Sequence, residues 1–219
     1  MSKSWFTRIC LLPFALAPFS TLGCESLFHS HTAALQHQGD FSSLTHITLT
    51  QNVRSILQSA ALLPPSSHPI ASQRHRGHGA PNAVFFDLAS PTSLENALQS
   101  LPHYAVIFQF QLQLLDTGPS FHIHESGWAY GVAEPGSFVS TGAPHSNHYW
   151  DHFLRFLSNA PKRGEVVFQG RAPLDYLQAI WVKSPQHKAA LLEKHRDIQS
   201  LPIPLHTLIQ VASPEVENI

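Results

Sequence analysis

Residues 45–63 read THITLTQNVRSILQSAALL, and within them the spacing of the apolar positions changes from two to about three and a half. In an extended chain alternate side chains share a face, so His46 and Thr48 fall on one side and Thr45, Ile47 and Leu49 on the other. A donor and an acceptor therefore share one surface. From Thr50, which suits an N-cap, Val53, Ile56, Leu57, Ala60 and Ala61 follow at i, i+3, i+4, i+7 and i+8, one buried helical stripe. Pro64 and Pro65 stop that helix. A strand with two polar side chains running straight into an amphipathic helix makes one wall of a ligand cleft.

Outward from this unit the chain alternates strand and helix in irregular order. Residues 64–82 form a loop rich in Pro, Ser, Gly and His that holds Arg74 and Arg76, a pair suited to a solvated bend or to a phosphate. Residues 83–88, AVFFDL, read as a short aromatic strand. Thr92 and Glu95 make a capping-box pattern ahead of Leu94, Ala97, Leu98 and Leu101, which predicts a helix over 92–101. Residues 106–114, VIFQFQLQL, alternate strictly, with Phe108, Phe110, Leu112 and Leu114 on one face and three Gln on the other, as in an antiparallel strand buried on one side. A glycine-punctuated stretch, 118–142, reads as a cover or substrate loop, with Trp128 and Tyr130 in it. Residues 147–157 predict a helix burying Trp150, Phe153, Leu154 and Leu157; 165–169 and 177–182 read as strands; Ser184-Pro185 opens a helix to about 199; and 205–211 read as a last strand. This order, with alternating faces, predicts an α+β fold over a doubly wound parallel sheet.

At 219 residues and 43% hydrophobic content the chain is sized for one core. Charged residues make up only 12%, about half the usual share, so Ser, Gln, Asn and His supply much of the surface polarity. Sixteen His make the charge sensitive to mild acid. The formal net charge of -1 implies no broad basic surface, so a nucleic-acid partner would need a local patch.

The first 23 residues read as a signal peptide: Lys3 and Arg8 precede an apolar run, 9–22, that Pro13 and Pro18 interrupt and that is too short for a permanent span. Thr21 and Gly23 are small residues placed for cleavage before Cys24, and Gly23-Cys24 also resembles a lipoprotein signal, although Thr21 stands where that motif usually has Leu. Cleavage would remove Cys10 and leave Cys24 alone, without an internal disulfide. The expectation is a secreted or periplasmic protein, lipid-anchored at Cys24 if acylated. Residues 24–43 show no clear periodicity and read as a linker or arm, which places the folded domain at 44–219.

Taken in order, the H-x-T strand with NVRSILQSAALL behind it, the aromatic strand with its Ser-Pro (VFFDLASP), and the late KRGEVVFQGRAPLDYLQAIWV resemble the ADP-ribosyltransferase fold, and within it most nearly the DarT-type toxins that modify DNA. The likeness covers about residues 44–183, with edges good to a few residues, and no single motif carries it. It implies a split antiparallel sheet with flanking helices and NAD as co-substrate. It further implies that His46 and Thr48 hold the ribose and nicotinamide end of NAD, that Phe85 or Phe86 stacks on the nicotinamide ring, that Arg74 or Arg76 binds the pyrophosphate or assists at the reacting centre, and that Glu165 is the catalytic carboxylate. Residue 163 is Arg, so the paired acid of arginine-modifying toxins is absent. The implied activity is a secreted, toxin-like or effector-like mono-ADP-ribosyltransferase acting in a target cell. Its acceptor, whether protein, nucleic acid, small molecule or water, is not legible from the residues.

Two alternatives stand beside it. His122 and His124 share a face of FHIHE, and His148 and His152 sit at i, i+4, so the pairs could form a zinc site with Glu125 as a base, a zinc-dependent hydrolase. No H-E-x-x-H or Cys-based motif accompanies them, and sixteen His make chance pairs common. The other alternative is a non-catalytic binding protein on the same fold.

Overall fold

The computed structural model describes residues 30–38, 40–64, 82–117, 120–124, 138–140, 147–159, 164–198 and 201–212. Residues 1–29, with the signal peptide read in them, lie outside this set.

Ten strands are formed among the described residues: β1 (Ser43–Leu49), β2 (Ala61–Leu62), β3 (Ala83–Ala89), β4 (Ala105–Phe110), β5 (Phe121–His124), β6 (Phe138–Ser140), β7 (Gly164–Gln169), β8 (Ala172–Pro173), β9 (Leu177–Val182) and β10 (Ile209–Val211). The helices are α1 (His31–Gln38), α2 (Val53–Ser59), α3 (Pro91–Gln99), α4 (Asn147–Asn159), α5 (Pro185–Lys194) and the single turn α6 (Leu205–Leu208). Eight strands form one sheet in the order β10-β9-β4-β1-β3-β7-β5-β6, and β2 pairs with β8 separately. Every described pairing in the large sheet is antiparallel except that of β10 with β9. The α+β expectation holds.

The large sheet is two half-sheets joined at a narrow seam. β1 is paired with β4 along Leu44 to Leu49, and β3 with β7 along Ala83 to Leu88. Between β1 and β3 the register runs only through Ser43↔Ala89, Leu44↔Leu88 and Thr45↔Asp87. Beyond Thr45 the two strands part, leaving a notch between residues 46–49 of β1 and 83–86 of β3. The split sheet implied by the resemblance is present.

One face of the sheet is the core face. Leu44, Phe86, Phe108, Phe110, Phe121, Ile123, Val166, Phe168 and Ile180 are buried there with Val53, Ile56 and Leu57 of α2 and Trp150, Phe153 and Leu157 of α4. Phe86 meets Phe110 and Phe168 edge to face, with ring centroids 5.4 and 6.2 Å apart, the arrangement that ring quadrupoles favour. On the opposite, open face α3 and the Leu101 that follows it cover the half-sheet of β1 and β4, packing Leu94, Ala97, Leu98 and Leu101 on Ala105, Ile107 and Trp181.

Several local expectations need correction. The stripe of α2 ends at Ser59: Ala60 adopts a left-handed conformation (φ 51°), and Ala61 and Leu62 turn into β2, which the antiparallel partner Ala172–Pro173 draws out of the helix. Thr50 does not cap α2 but opens a 3-10 turn, its hydroxyl 3.0 Å from Nε2 of His187. Ser90, not Thr92, caps α3, in a reciprocal box with Ser93. The strand expected over 106–114 ends at Phe110, and Leu112–Asp116 curl into a 3-10 helix that still buries Leu112, Leu114 and Leu115. Helix α5 ends at Lys194, and the last strand expected over 205–211 is α6 followed by β10.

The largest correction concerns residues 24–43, read as a linker or arm. Residues 31–38 form α1, and Ala34, Leu35 and Phe41 are buried in the main core. Asp116 holds the helix start: its carboxylate accepts from the backbone N–H of His31 (2.8 Å) and of Thr32 (3.3 Å), from the Thr32 hydroxyl (2.6 Å), and from Nδ1 of His31 (3.0 Å). Nε2 of His31 is hydrogen-bonded to the Tyr149 hydroxyl, and the ring lies among Phe121, Trp150 and Phe153. Burial alone would raise the Asp116 pKa, but the bonds from His31 and Thr32 outweigh it and hold the carboxyl below its usual range. The folded unit therefore includes residues from 30 onward.

Candidate active site

The notch in the sheet is where polar side chains gather. His46 stands at its closed end. Its Nδ1 lies 2.8 Å from the carbonyl oxygen of Phe85 on β3, so the imidazole spans the gap just past the last backbone pair. A carbonyl can only accept, which fixes the proton on Nδ1. Thr48, two residues on, accepts a hydrogen bond from the Asn52 side-chain amide at 3.0 Å. Both side chains are half-buried, while Ile47 (51% exposed) and Leu49 form an exposed apolar lip on the other face of β1.

Alternation and register place the remaining residues. Phe85 packs with Ala83 and Val167 on the open face, half-exposed, whereas Phe86 lies on the core face and is 1% exposed. Of the two aromatic residues, only Phe85 is available to a ligand; Phe86 is a core residue, and assigning it to the nicotinamide ring is corrected by its burial. Glu165 is paired with Asp87 on β3 and with His124 on β5, and because its neighbour Val166 points into the core, Glu165 points to the open face. It is half-buried. Asp87 shares that face by the same parity, and so does His122, which lies opposite Val167 between the core residues Phe121 and Ile123. Burial holds the His122 imidazole below the ordinary histidine range.

His46, Glu165 and an aromatic residue were expected to line one cleft, and the strand parities divide them between the two faces of the sheet. Phe85 and Glu165 share the open face of the second half-sheet. His46 lies two strand spacings from β7, about 10 Å, with its ring on the Phe86 side, the two centroids 6.1 Å apart. What brings it to the group is its bond to the Phe85 carbonyl at the vertex of the split. Asp87 went unnoticed in the sequence, although its parity with Phe85 in AVFFDL was signal enough.

Arg74, Arg76, Glu125, Trp128 and Tyr130 lie outside the described residues, as do the side chains of His124, His148 and His152. Among the described residues no three His, Cys, Asp or Glu side chains are grouped so as to hold a metal ion. No described helix is long and apolar enough to cross a membrane.

No protein-family model matches the chain, and no curated protein matches it. Solved structures do. The chain is similar to Thermus sp. 2.9 DarT in complex with ADP-ribosylated ssDNA, at 14% identity and a TM-score of 0.52, over 78% of this chain and 93% of that one. It is similar to the same protein in complex with NAD+, at 14% identity and a TM-score of 0.52, over 78% and 94%, and in complex with carba-NAD+, at 14% identity and a TM-score of 0.51, over 74% and 93%. With the seam, the notch and the two half-sheets, these matches identify the architecture: the chain has the DarT-type ADP-ribosyltransferase fold.

Proposed function

We propose that this protein is an NAD-dependent mono-ADP-ribosyltransferase. One observation carries it: the seam ends beside a group of chemically apt residues, with His46 tying the two half-sheets together and Phe85 and Glu165 on the adjoining open face. In this assignment NAD lies across the notch, its nicotinamide ribose over Phe85 toward Glu165 and the rest of the molecule along Thr48. Arg74 or Arg76 meets the pyrophosphate. The Thermus DarT structures with NAD+ and carba-NAD+ support NAD as the co-substrate.

The chemistry follows from charge. Breaking the bond between ribose C1′ and the nicotinamide nitrogen sends the electron pair to nicotinamide and leaves positive charge on the sugar. A fixed carboxylate that accepts a hydrogen bond from the ribose 2′-hydroxyl stabilises that charge as it develops, and Glu165 takes this role. Phe85 supplies a flat apolar surface for the departing ring. His46 holds the Phe85 backbone in place through its carbonyl and positions the stacking ring.

The acceptor belongs to the proposal too. Thermus DarT is found with ADP-ribosylated single-stranded DNA, which makes a nucleobase the first acceptor to try, ahead of protein, small molecules and water. A formal charge of -1 means that DNA would be held by a local patch and not by a general field. The N-terminal stretch, with Lys3 and Arg8 before the run at 9–22, supports export, and an exported NAD enzyme needs a target-cell cytosol where NAD is present, the situation of a toxin or effector.

The test is nicotinamide release from NAD by wild type and by Glu165→Gln, with and without single-stranded oligonucleotide, and mass analysis of the acceptor. Loss of release in the variant is expected. Equal turnover in both proteins would overturn the assignment.

A further inference from the structure

Glu165 accounts for the ribose but not for the proton that the incoming acceptor must lose. The open face of the second half-sheet carries a group placed for that proton. β5 pairs with β7 through His122↔Val167 and His124↔Glu165, so His122 is the diagonal neighbour of Glu165 on the same face. Diagonal neighbours across an antiparallel pair stand about 7–8 Å apart along the backbone, their β-carbons somewhat closer. Where an incoming oxygen is activated by one group while a second serves the sugar, the two must stand about 6.5–9.5 Å apart to leave room for the nucleophile. His122 and Glu165 leave the backbone at about that spacing on one face, so an imidazole and a carboxylate there can bracket a nucleophile. Val167, opposite His122 and two residues from Glu165 on β7, lies beside both on the same face, with Phe85 packed on its other side, and apolar neighbours strengthen the electrostatics of charged groups next to them.

We propose that His122 is a catalytic residue of the transfer, the general base that takes the proton from the acceptor as it attacks C1′. This rests on the transferase assignment above. In the step, the bond from C1′ to the nicotinamide nitrogen breaks and its electron pair leaves with nicotinamide. A lone pair of the acceptor forms the new bond to C1′, and the acceptor's proton passes to a ring nitrogen of His122 and then to solvent. Glu165 remains an anion throughout. Desolvation in its half-buried position keeps His122 neutral and ready to accept at neutral pH. Among the described residues of the adjoining strands, the charged groups that share its face are Glu165 and Asp87, both carboxylates, and His124 lies two residues along its own strand.

Water is an acceptor always at hand, so nicotinamide release from NAD between pH 4.5 and 8, with about one-unit steps, reads the step without knowledge of the natural target. In wild type the rate should fall on the acid side as an imidazole protonates, below about pH 6.5 and apart from the carboxylate range. His122→Gln should be slower by about 10²- to 10⁴-fold and flat across the imidazole range. NAD affinity and the melting transition should be unchanged in it. Added imidazole should restore turnover in His122→Ala, which a merely structural role would not allow. His122→Gln with the wild-type rate and acid limb, or His122→Ala slowed but deaf to imidazole, overturns the proposal. Glu165→Gln run in parallel separates the two levels: if it keeps full turnover the transferase assignment fails, and if it is inactive while His122→Gln is normal only the role of His122 fails.

Discussion

Asp116→Ala is the perturbation most directly quantified by the structure. The carboxylate accepts four hydrogen bonds from His31 and Thr32, and its side chain is only 26% exposed. A hydrogen bond to a charged group contributes about 1.5–3 kcal/mol, but four from two adjacent residues are lost together and do not add. The expected cost is about 3–4 kcal/mol, the scale for removing one partner of a largely buried network. With a urea slope of about 2 kcal/mol per molar, the midpoint should fall by about 1.5–2 M. Tryptophan emission is a natural probe, because the Trp150 ring lies 5.2 Å from that of His31. The pH dependence gives a second check. Asp116 has a folded pKa below the ordinary aspartate range, so its stabilisation is fully present above that range and is lost as pH falls through the lower folded value. The gap between variant and wild type should therefore close in strong acid. A loss below about 1 kcal/mol near neutral pH, the size of one ordinary hydrogen bond, would refute the claim that this carboxylate anchors α1.

Further expectations concern the site and the core. Glu165→Gln should lower nicotinamide release by at least about 10²- to 10³-fold, with stability changed by less than about 0.5 kcal/mol, as a liquid-chromatography assay and a urea titration would show. Phe85 and Phe86 should separate cleanly: Phe86→Ala should cost about 3–5 kcal/mol in urea unfolding, while Phe85→Ala should chiefly weaken NAD binding, measured by calorimetry. His195 is 1% exposed with neither ring nitrogen hydrogen-bonded, and burial, followed by Lys194 and Arg54, lowers its pKa against the opposing pull of Asp197. The unfolded chain binds the proton first, so below about pH 6.5 stability should fall with pH, and His195→Leu should flatten that slope in melts between pH 5 and 7.

What could be read from the residues was what local periodicity encodes. The change of period at Thr50 located β1 and α2, and AVFFDL located β3. The arm was misread for a physical reason: Ala34 and Leu35 are the fully buried apolar residues of HTAALQHQ among those described and polar His31 and Thr32 are buried with them, so no apolar stripe marks the helix, and the carboxylate that starts it lies 85 residues away. Residues 205–208 were misread because one helical turn is too short to show a period. In the site, neighbours along a strand point to opposite faces, so Phe85 and Phe86 could never have served together, but choosing between them required knowing which face the core takes. His122 was noticed only as a metal-ligand candidate, since its nearness to Glu165 is a matter of register between β5 and β7.

The narrow seam also governs how the protein comes into being. β1, β4, β9 and β10 make one half-sheet and β3, β5, β6 and β7 the other, so the chain passes between halves four times, before β3, β4, β5 and β9. Neither half is a continuous stretch of polypeptide, and neither can be produced as a fragment that folds alone. Pairings so distant in sequence form slowly. The partner strands of β4 and β3, namely β9 and β7, come late in the chain. A nascent chain therefore carries His46 and Phe85 long before it carries Glu165, and no incomplete chain that lacks β7 possesses the carboxylate side of the notch.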